Sequence, residues 1–511
     1  MPTDARSSSL LPILLSGWAL ACDPGRGSVD PEPSHDTGPV CTGADGLARA
    51  WSRASRDGLE AALEQLPGEW PNQLLASLDA GMPEHIQRWT ESHRQACERG
   101  QPVVLRCLDR RAWQLDAVLA LIVEKPERAA TLWSELERGA ADPRGCERAT
   151  GDALPELDRA RGRELESLAL LLELGEFSRV DPIVAELAAD PVLAGAPGYA
   201  VWLELARAEV ELAGDRVDAA EQALARAAEL AEGLDAGART AVSDTRALVA
   251  LARGDVEASE RAREQAVTHA REQADPWLLV AQLREQGRAR VEQGRSALAV
   301  APLVEAIGLS GRLGGADYPR TAELQTILAQ AQLELGQTEA AHDTLIQARD
   351  TLVIALGPDH PQTLATVEAV GRLFVAVGRP GDAQFAFLDL LEVYTDLYGV
   401  KDWRTARIKL ELADSLMAVD QHDGARTLYT EALTPLAQEL GPVHPDVVRT
   451  SIHLGIAELA LGNLDAAEPH CSRGRDLAKA LAPDSPLADE AERCLTQLAA
   501  SRAAAKNKQK R

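Results

Sequence analysis

The sequence predicts an all-α chain in which a small helical head is followed by a right-handed α-solenoid of paired helices. Three observations carry this expectation. Hydrophobic residues make up 45% of the 511 residues while aromatics reach only 4%, so the apolar content is dominated by Ala and Leu, which helices tolerate best. Turn-forming residues recur at Gly175, Gly214, Gly254, Gly294, Gly336, Gly378, Asp420 and Gly462, with successive spacings of 39, 40, 40, 42, 42, 42 and 42. Small residues flank these turns at fixed distances. A 42-residue period that holds without drift over the last five turn positions marks stacked helical units, each burying its apolar face only against its neighbours.

The formal net charge of -26 excludes non-specific nucleic-acid binding, which needs a basic footprint to displace counterions from phosphates. The one basic run, Lys506 to Arg511, reads as a solvated end. No Gly-x-Ser-x-Gly elbow, HExxH helix or Gly-rich phosphate loop occurs in the sequence, so no catalytic set, metal or cofactor is expected. Carboxylate pairs are abundant, but on helices without a cleft they carry no acid-base assignment.

Leu10 to Ala21 is an apolar run of twelve, too short to span a bilayer as a helix but the right length for the core of a signal peptide. It ends at Ala19-Leu20-Ala21-Cys22. A small residue before a Cys at this place resembles the lipobox of bacterial lipoproteins. That resemblance implies a signal peptide over residues 1–22, acylation of Cys22, and an exported protein held on a bacterial membrane by a lipid anchor. A secretory signal without lipid and a chance apolar run are the other readings. Residues 23–40 are rich in Pro, Gly, Ser and Asp and read as a flexible linker.

Six further cysteines follow: Cys41, Cys97, Cys107, Cys146, Cys471 and Cys494. There is no CxxC pair and no His at ligand spacing, which argues against a metal site. Disulfides in an oxidising compartment fit the even number, with buried reduced thiols as the alternative. The first four allow three connectivities, of which Cys41–Cys97 with Cys107–Cys146 is preferred. A Cys471–Cys494 bridge would staple down the last helix.

In the head, residues 41–150, Pro67, Pro71, Pro83, Pro102, Pro126 and Pro143 divide the helical periodicity into about five short helices. The clearest is Val103 to Val123, with Leu105, Leu108, Leu115, Val118, Leu119 and Ile122 on one apolar face. The order Cys41-Thr42-Gly43-Ala44, Trp51, Trp89, Ala96-Cys97-Glu98, Cys107-Leu108-Asp109-Arg110-Arg111 and Cys146 resembles the segment after the membrane helix of many myxobacterial serine/threonine kinases. The kinase motifs themselves are absent from the sequence, and the Arg-Gly-rich stretch usual between the second and third Cys is reduced to Glu98-Arg99-Gly100-Gln101. The resemblance implies an extracytoplasmic head.

From about residue 154 to 484 the chain is repetitive. Five residues after the turns lie Ala219, Ser259, Ala299, Ala341, Ala383, Ala425 and Ala467; seven before them lie Ala247, Gly287, Ala329, Gly371, Ala413 and Gly455. Small residue, Gly turn, small residue is the tetratricopeptide pattern, and about eight such repeats are counted, the first degenerate with Leu168 and Val180 at these places. Pro276, Pro319, Pro361 and Pro445, with Trp403 as a fifth, begin first helices, where a missing donor costs nothing. The linkers Leu356-Gly357-Pro358-Asp359-His360-Pro361 and Leu440-Gly441-Pro442-Val443-His444-Pro445 resemble those of kinesin light chain-type arrays. His360 and His444 are read as helix-start residues rather than ligands. A capping helix over 485–504 and a basic tail over 505–511 complete the chain.

The resemblance implies that first helices line a concave face, and its ligand-facing offsets fall on Arg284, Arg288, Glu323, Gln330, Glu368, Arg372, Arg407, Asp414 and Arg449. Five of the nine are Arg, the side chain suited to forked contacts with carboxylates. The expected function is a non-catalytic protein-binding scaffold at the bacterial envelope, with other proteins, through acidic or C-terminal peptide segments, as partners. The competing reading of these charges is that they pair with one another. The alternative function is a sensory or regulatory module acting with a partner membrane kinase.

Overall fold

The computed structural model describes residues 45–130, 132, 157–273, 275–315, 318–482 and 485–509. Secondary structure among them is entirely helical. The leader, Cys22, the linker, Cys41, Pro143 and Cys146 lie outside the described residues. Two compact units divide at Gly336/Gln337, with Ile354–Leu356 belonging to the first.

In the first unit the head comprises α1 (Gly46–Ala50), α2 (Arg53–Leu63), α3 (Trp70–Glu98) and α4 (Pro102–Glu124). Pro83 does not break the chain as the sequence suggested. It lies inside the 29-residue α3, whose flanking turns are pinned by buried Met82 and Trp89, so packing compensates for the one lost backbone donor. The Trp89 indole nitrogen donates to the Leu108 carbonyl at 3.1 Å and fixes α3 on α4. Helix α4 buries Leu108, Leu115, Val118, Leu119 and Ile122, while Leu105 is only partly covered and Val104 takes its place. Cys97 and Cys107 are both disulfide-bonded.

The array begins with α5 (Arg159–Glu173) and α6 (Phe177–Ala188), followed by the one-turn α7 (Pro191–Ala194), which lengthens the first linker. Pairs then follow as α8 (Pro197–Ala213) with α9 (Val217–Leu230), α10 (Ala236–Ala252) with α11 (Val256–Glu272), and α12 (Pro276–Glu292) with α13 (Ser296–Gly314); α14 (Pro319–Glu334) closes this unit. Helix α13 is apolar enough to match a membrane span by composition, with a mean hydropathy of 1.3. Its Ala299, Leu303 and Ala306 are fully buried core residues, while Leu298 and Val304 on the same helix are more than half exposed, so packing within the array accounts for one face of it.

The second unit holds α15 (Thr338–Leu356), α16 (Pro361–Ala376), α17 (Pro380–Tyr398), α18 (Trp403–Met417), α19 (His422–Leu440), α20 (Pro445–Ala460), α21 (Leu464–Leu481) and the cap α22 (Pro486–Gln509). The cap runs five residues further than the sequence suggested. His360 and His444 accept the backbone N–H of Gln362 and Asp446 at 3.2 Å through Nδ1, and Asp402 does the same for Arg404 at 2.8 Å. These side chains satisfy an orphan donor of the first helical turn. Burial holds the His360 imidazole down at about 4, so the neutral ring serves as the acceptor.

The turn positions hold with one shift. Gly175, Gly254, Gly294, Gly336, Gly378 and Gly462 are left-handed, and so is Asp420 with φ of 59°. In the second repeat, however, the left-handed residue is Asp215, also at 59°, and Gly214 has φ of -83°. Moving that turn by one residue puts Ala208 and Ala220 at the two small places, and both are fully buried. The sequence suggested Ala219 for the second of these places and gave no small residue for the first. Asp, like Asn, tolerates the left-handed region, which is why Gly alone was an incomplete guide.

The small residues govern how closely helices pair. A Cβ on Gly371 would lie 2.7 Å from the Phe387 ring, and one on Gly287 would lie 2.5 Å from Leu303. Ala at either place must push the facing helix away, at about 1–3 kcal/mol, against a helix-propensity gain of about 1 kcal/mol. Gly311, also inside a helix, has nothing within 4 Å of a Cβ. Thermal denaturation should therefore show Gly371→Ala lowering stability and Gly311→Ala raising it; equal effects at both sites would remove the close-approach account.

Candidate functional site

First helices of successive repeats face one another, and their side chains meet in ion pairs that step 38 or 39 residues along the chain. In the second unit, Glu368 on α16 is almost fully buried and accepts from Arg372 of its own helix and from Arg407 of α18, the latter at 3.1 Å. Glu411 on α18 is buried in the same way and accepts from Arg449 of α20 at 2.7 Å and from Arg372 at 3.3 Å. Asp414 accepts the Tyr429 hydroxyl at 2.5 Å and contacts His453 Nδ1 at 2.6 Å. The other nitrogen of His453 lies 3.3 Å from Glu490 on the cap. The group thus sets Arg372, Arg407, Arg449 and His453 against Glu368, Glu411, Asp414 and Glu490.

Electrostatics follow from that crowding. Burial opposes charge on His453, but its bonds to Asp414 and Glu490 outweigh this and lift the imidazole to about 9. Burial likewise pushes Asp414 up, and His453 with Arg449 and Tyr429 brings it below the ordinary carboxylate range. The hydrogen bond from His453 is the largest influence on Glu490 and also lowers it.

The first unit carries a parallel group. Arg284 on α12 is buried and bonds Glu285 at 3.2 Å and both oxygens of Glu323 on α14 at 3.3 Å. Arg288 pairs with Glu285 and lies 3.7 Å from Glu292. Burial pushes Glu285 up, but Arg288, Arg284 and Arg263 hold it below its usual value. Deeper in the same unit, burial pushes Asp244 up to about 6 even with Arg263 beside it at 3.5 Å. Buried Glu209 is raised well above the carboxylate range by desolvation and by Asp244.

Eight of the nine residues singled out by offset therefore fall into two groups: Arg284, Arg288 and Glu323 in one, Glu368, Arg372, Arg407, Asp414 and Arg449 in the other. Gln330 is exposed on α14 and joins neither. Sequence reasoning missed Glu285, Glu411, His453 and Glu490. Two of them, Glu411 and His453, had a readable signal, because a charged residue 38 or 39 positions away carries the opposite sign, as in Arg372 with Glu411, Arg449 with Glu411, and His453 with Asp414. Glu285 and Glu490 have partners that the period does not point to.

Chemically, the arrangement holds charge in place. Within the described residues no group of three or more His, Cys, Asp and Glu side chains is placed to hold a metal ion. What the fold and this face define is an α-helical repeat array with polar first-helix faces. Residues 404–480, which span α18 to most of α21, match the tetratricopeptide repeat family, and this stretch of the chain is built of tetratricopeptide repeats.

Among relatives, tetratricopeptide repeat protein 23 of Bos taurus is 28% identical over 143 residues, covering 27% of this chain and 32% of that protein. The chain thus spans about a third of that relative's length. Among solved structures, RapI in its apo form is 13% identical and covers 73% of this chain and 98% of its own, with a TM-score of 0.48. BtubC (BKLC) from P. vanneervenii is 20% identical over 45% of this chain and 93% of its own, with a TM-score of 0.39. A putative kinesin light chain with nearly identical repeats from Podosopora anserina is 21% identical over 40% of this chain and 97% of its own, with a TM-score of 0.35.

His453 supplies a test of the ion-pair group. Its folded value near 9 lies above the unfolded value of about 6.5. The stabilisation it gives is therefore complete below pH 6.5 and lost as pH rises through 9. Denaturant unfolding of the wild type and a His453→Gln variant should differ by about 3 kcal/mol at pH 6 and converge by pH 10. A gap that persists at pH 10 would show that the imidazolium is not what Asp414 and Glu490 hold.

Proposed function

We propose that this protein is a non-catalytic scaffold of the bacterial envelope, tethered by an acylated Cys22 and binding partner proteins through the first-helix faces of its repeats. The observation that carries the export part is the cysteine state. Cys97 and Cys107 are disulfide-bonded and Cys471 is bonded to Cys494, so every cysteine among the described residues is oxidised, as extracytoplasmic proteins allow and cytosolic ones rarely do. The run from Leu10 to Ala21 before Cys22 agrees with that placement.

For partner binding, support comes from the half-exposed guanidiniums of Arg372 and Arg407, whose side chains are 52% and 34% accessible. An acidic segment would reach them by sharing or replacing the bonds to Glu368 and Glu411. Because those carboxylates already balance the arginines, selectivity would come from forked geometry more than from net charge. Such exchange suits a reversible partner.

Two experiments test the reading. Fractionation of cells with metabolic palmitate labelling should place the wild type in the membrane fraction with label, and Cys22→Ala should lose both; recovery of unlabelled wild-type protein from the cytoplasm would end the envelope reading. Pull-down with an Arg372→Ala/Arg407→Ala variant should lose its partner while circular dichroism shows the array intact, and unchanged recovery would exclude these arginines from the interface.

A further inference from the structure

The outer face of α13 lacks the charge that the preceding second helix carries. In α11 the outer positions are Glu257, Arg261, Glu264, Thr268 and Arg271, all exposed. One repeat on, the same places of α13 hold Ala297, Ala301, Val304, Gly308 and Gly311. Val304 is 54% exposed, and Leu298 at the edge of this face is 55% exposed. Water therefore meets an apolar helix face where the neighbouring helix presents ions.

Two charges interrupt the face, and their placement is self-complementary. Glu305 is half-exposed and bonds Arg271 of α11 at 2.7 Å. Arg312 is exposed and has no ion pair among the described residues. They stand seven residues apart with Gly308 midway between them. With about 3.6 residues per turn, Glu305 and Arg312 share one flank of the face, and Val304, Gly311 and Gly315 share the other. The glycines add a second asymmetry. Gly inside a helix costs stability relative to Ala, and Gly287 and Gly371 offset that cost by admitting Leu303 and Phe387. A Cβ on Gly311 or on Gly315 would meet nothing within 4 Å, and one on Gly308 only the end of the Arg312 side chain at 3.5 Å. Nothing within the chain uses the space they leave.

We propose that this face is a dimer interface, on which α13 of a second copy of the chain packs antiparallel about a twofold axis beside Gly308. Such an axis sets Glu305 of each copy against Arg312 of the other, giving two equivalent ion pairs. It also seats each Val304 over Gly311 and Gly315 of the other copy, where the missing side chains let the helices approach. A parallel pairing would instead bring Glu305 level with Glu305 and Arg312 level with Arg312. A membrane is the less suited occupant: a chain of net charge -26 is repelled by an anionic bilayer, and Glu305 would have to leave water without a new partner. The interface uses none of the first-helix arginines, so it stands whether or not those bind an acidic segment.

Sedimentation equilibrium of the full chain in a mild detergent should show a reversible monomer–dimer equilibrium. Glu305→Arg alone and Arg312→Glu alone should each weaken it by at least about tenfold, because each sets like charges together in the pair. Mixing these two variants in equal amounts should restore association to within about threefold of the wild type, since one chain then offers Arg at both places and the other offers Glu at both. Gly311→Leu, which fills the space that Val304 needs, should weaken the dimer by about tenfold without lowering the melting temperature of the chain. The proposal is overturned if the wild type stays monomeric up to about 100 μM. It is overturned equally if the single variants or Gly311→Leu associate as well as the wild type, or if the mixture stays as weak as its components. Binding to phosphatidylglycerol vesicles by a chain that does not dimerise, abolished by Val304→Glu, would assign the face to a membrane and overturn it as well.

Discussion

Everything in this molecule depends on how closely the two helices of a pair approach at the small residues. Where Gly371 meets Phe387 and Gly287 meets Leu303, the missing Cβ lets a large side chain of one helix sit directly on the backbone of the other. That contact fixes the spacing of each pair, and the repetition of the pair fixes which residues of successive first helices stand opposite. The 39-residue step of the ion pairs is a consequence of the same geometry. A residue finds its counterpart one helical turn short of a full 42-residue repeat, because neighbouring first helices are offset along their axes.

The polar groups on the first helices depend on this spacing and add little of their own to fold choice. Desolvating Glu368 and Glu411 is costly, and the pairing arginines approximately repay that cost. Their contribution is register. A one-residue slip between α16 and α18 would leave buried carboxylates without cations, which is far worse than any loss of apolar contact. The array thus uses hydrophobic contact for cohesion and charge for alignment. It spends its strongest electrostatics at the C-terminal end, where Asp414, His453 and Glu490 bind the cap.

Much of this was legible in the sequence, and the failures have physical reasons. The period, the small positions and the helix-start residues were readable because each is a local rule repeated many times. Asp215 was misread because an Asp can take the left-handed conformation when a Gly stands beside it and takes none. Pro83 was misread because tertiary burial of Met82 and Trp89 overrides the local cost of a proline. The candidate face was half legible: positions of the arginines follow from the repeat, but whether a guanidinium faces solvent or a neighbour's carboxylate depends on a residue about 39 positions away.

The bond between Cys471 and Cys494 bears on force as well as on stability. Both sulfurs are buried, and they pack where a Cβ on Gly455 would otherwise lie, so the covalent link passes through the core of the last pair. For a molecule pulled by its C-terminal end, the segment between Cys471 and Cys494, a sequence separation of 23, cannot be drawn out, which withholds about 80 Å of contour length. Linear arrays ordinarily peel from their ends, one element at a time. Here the load passes beyond the bridge to helices α20 and α21, and the array meets tension at its C-terminal end as a joined block.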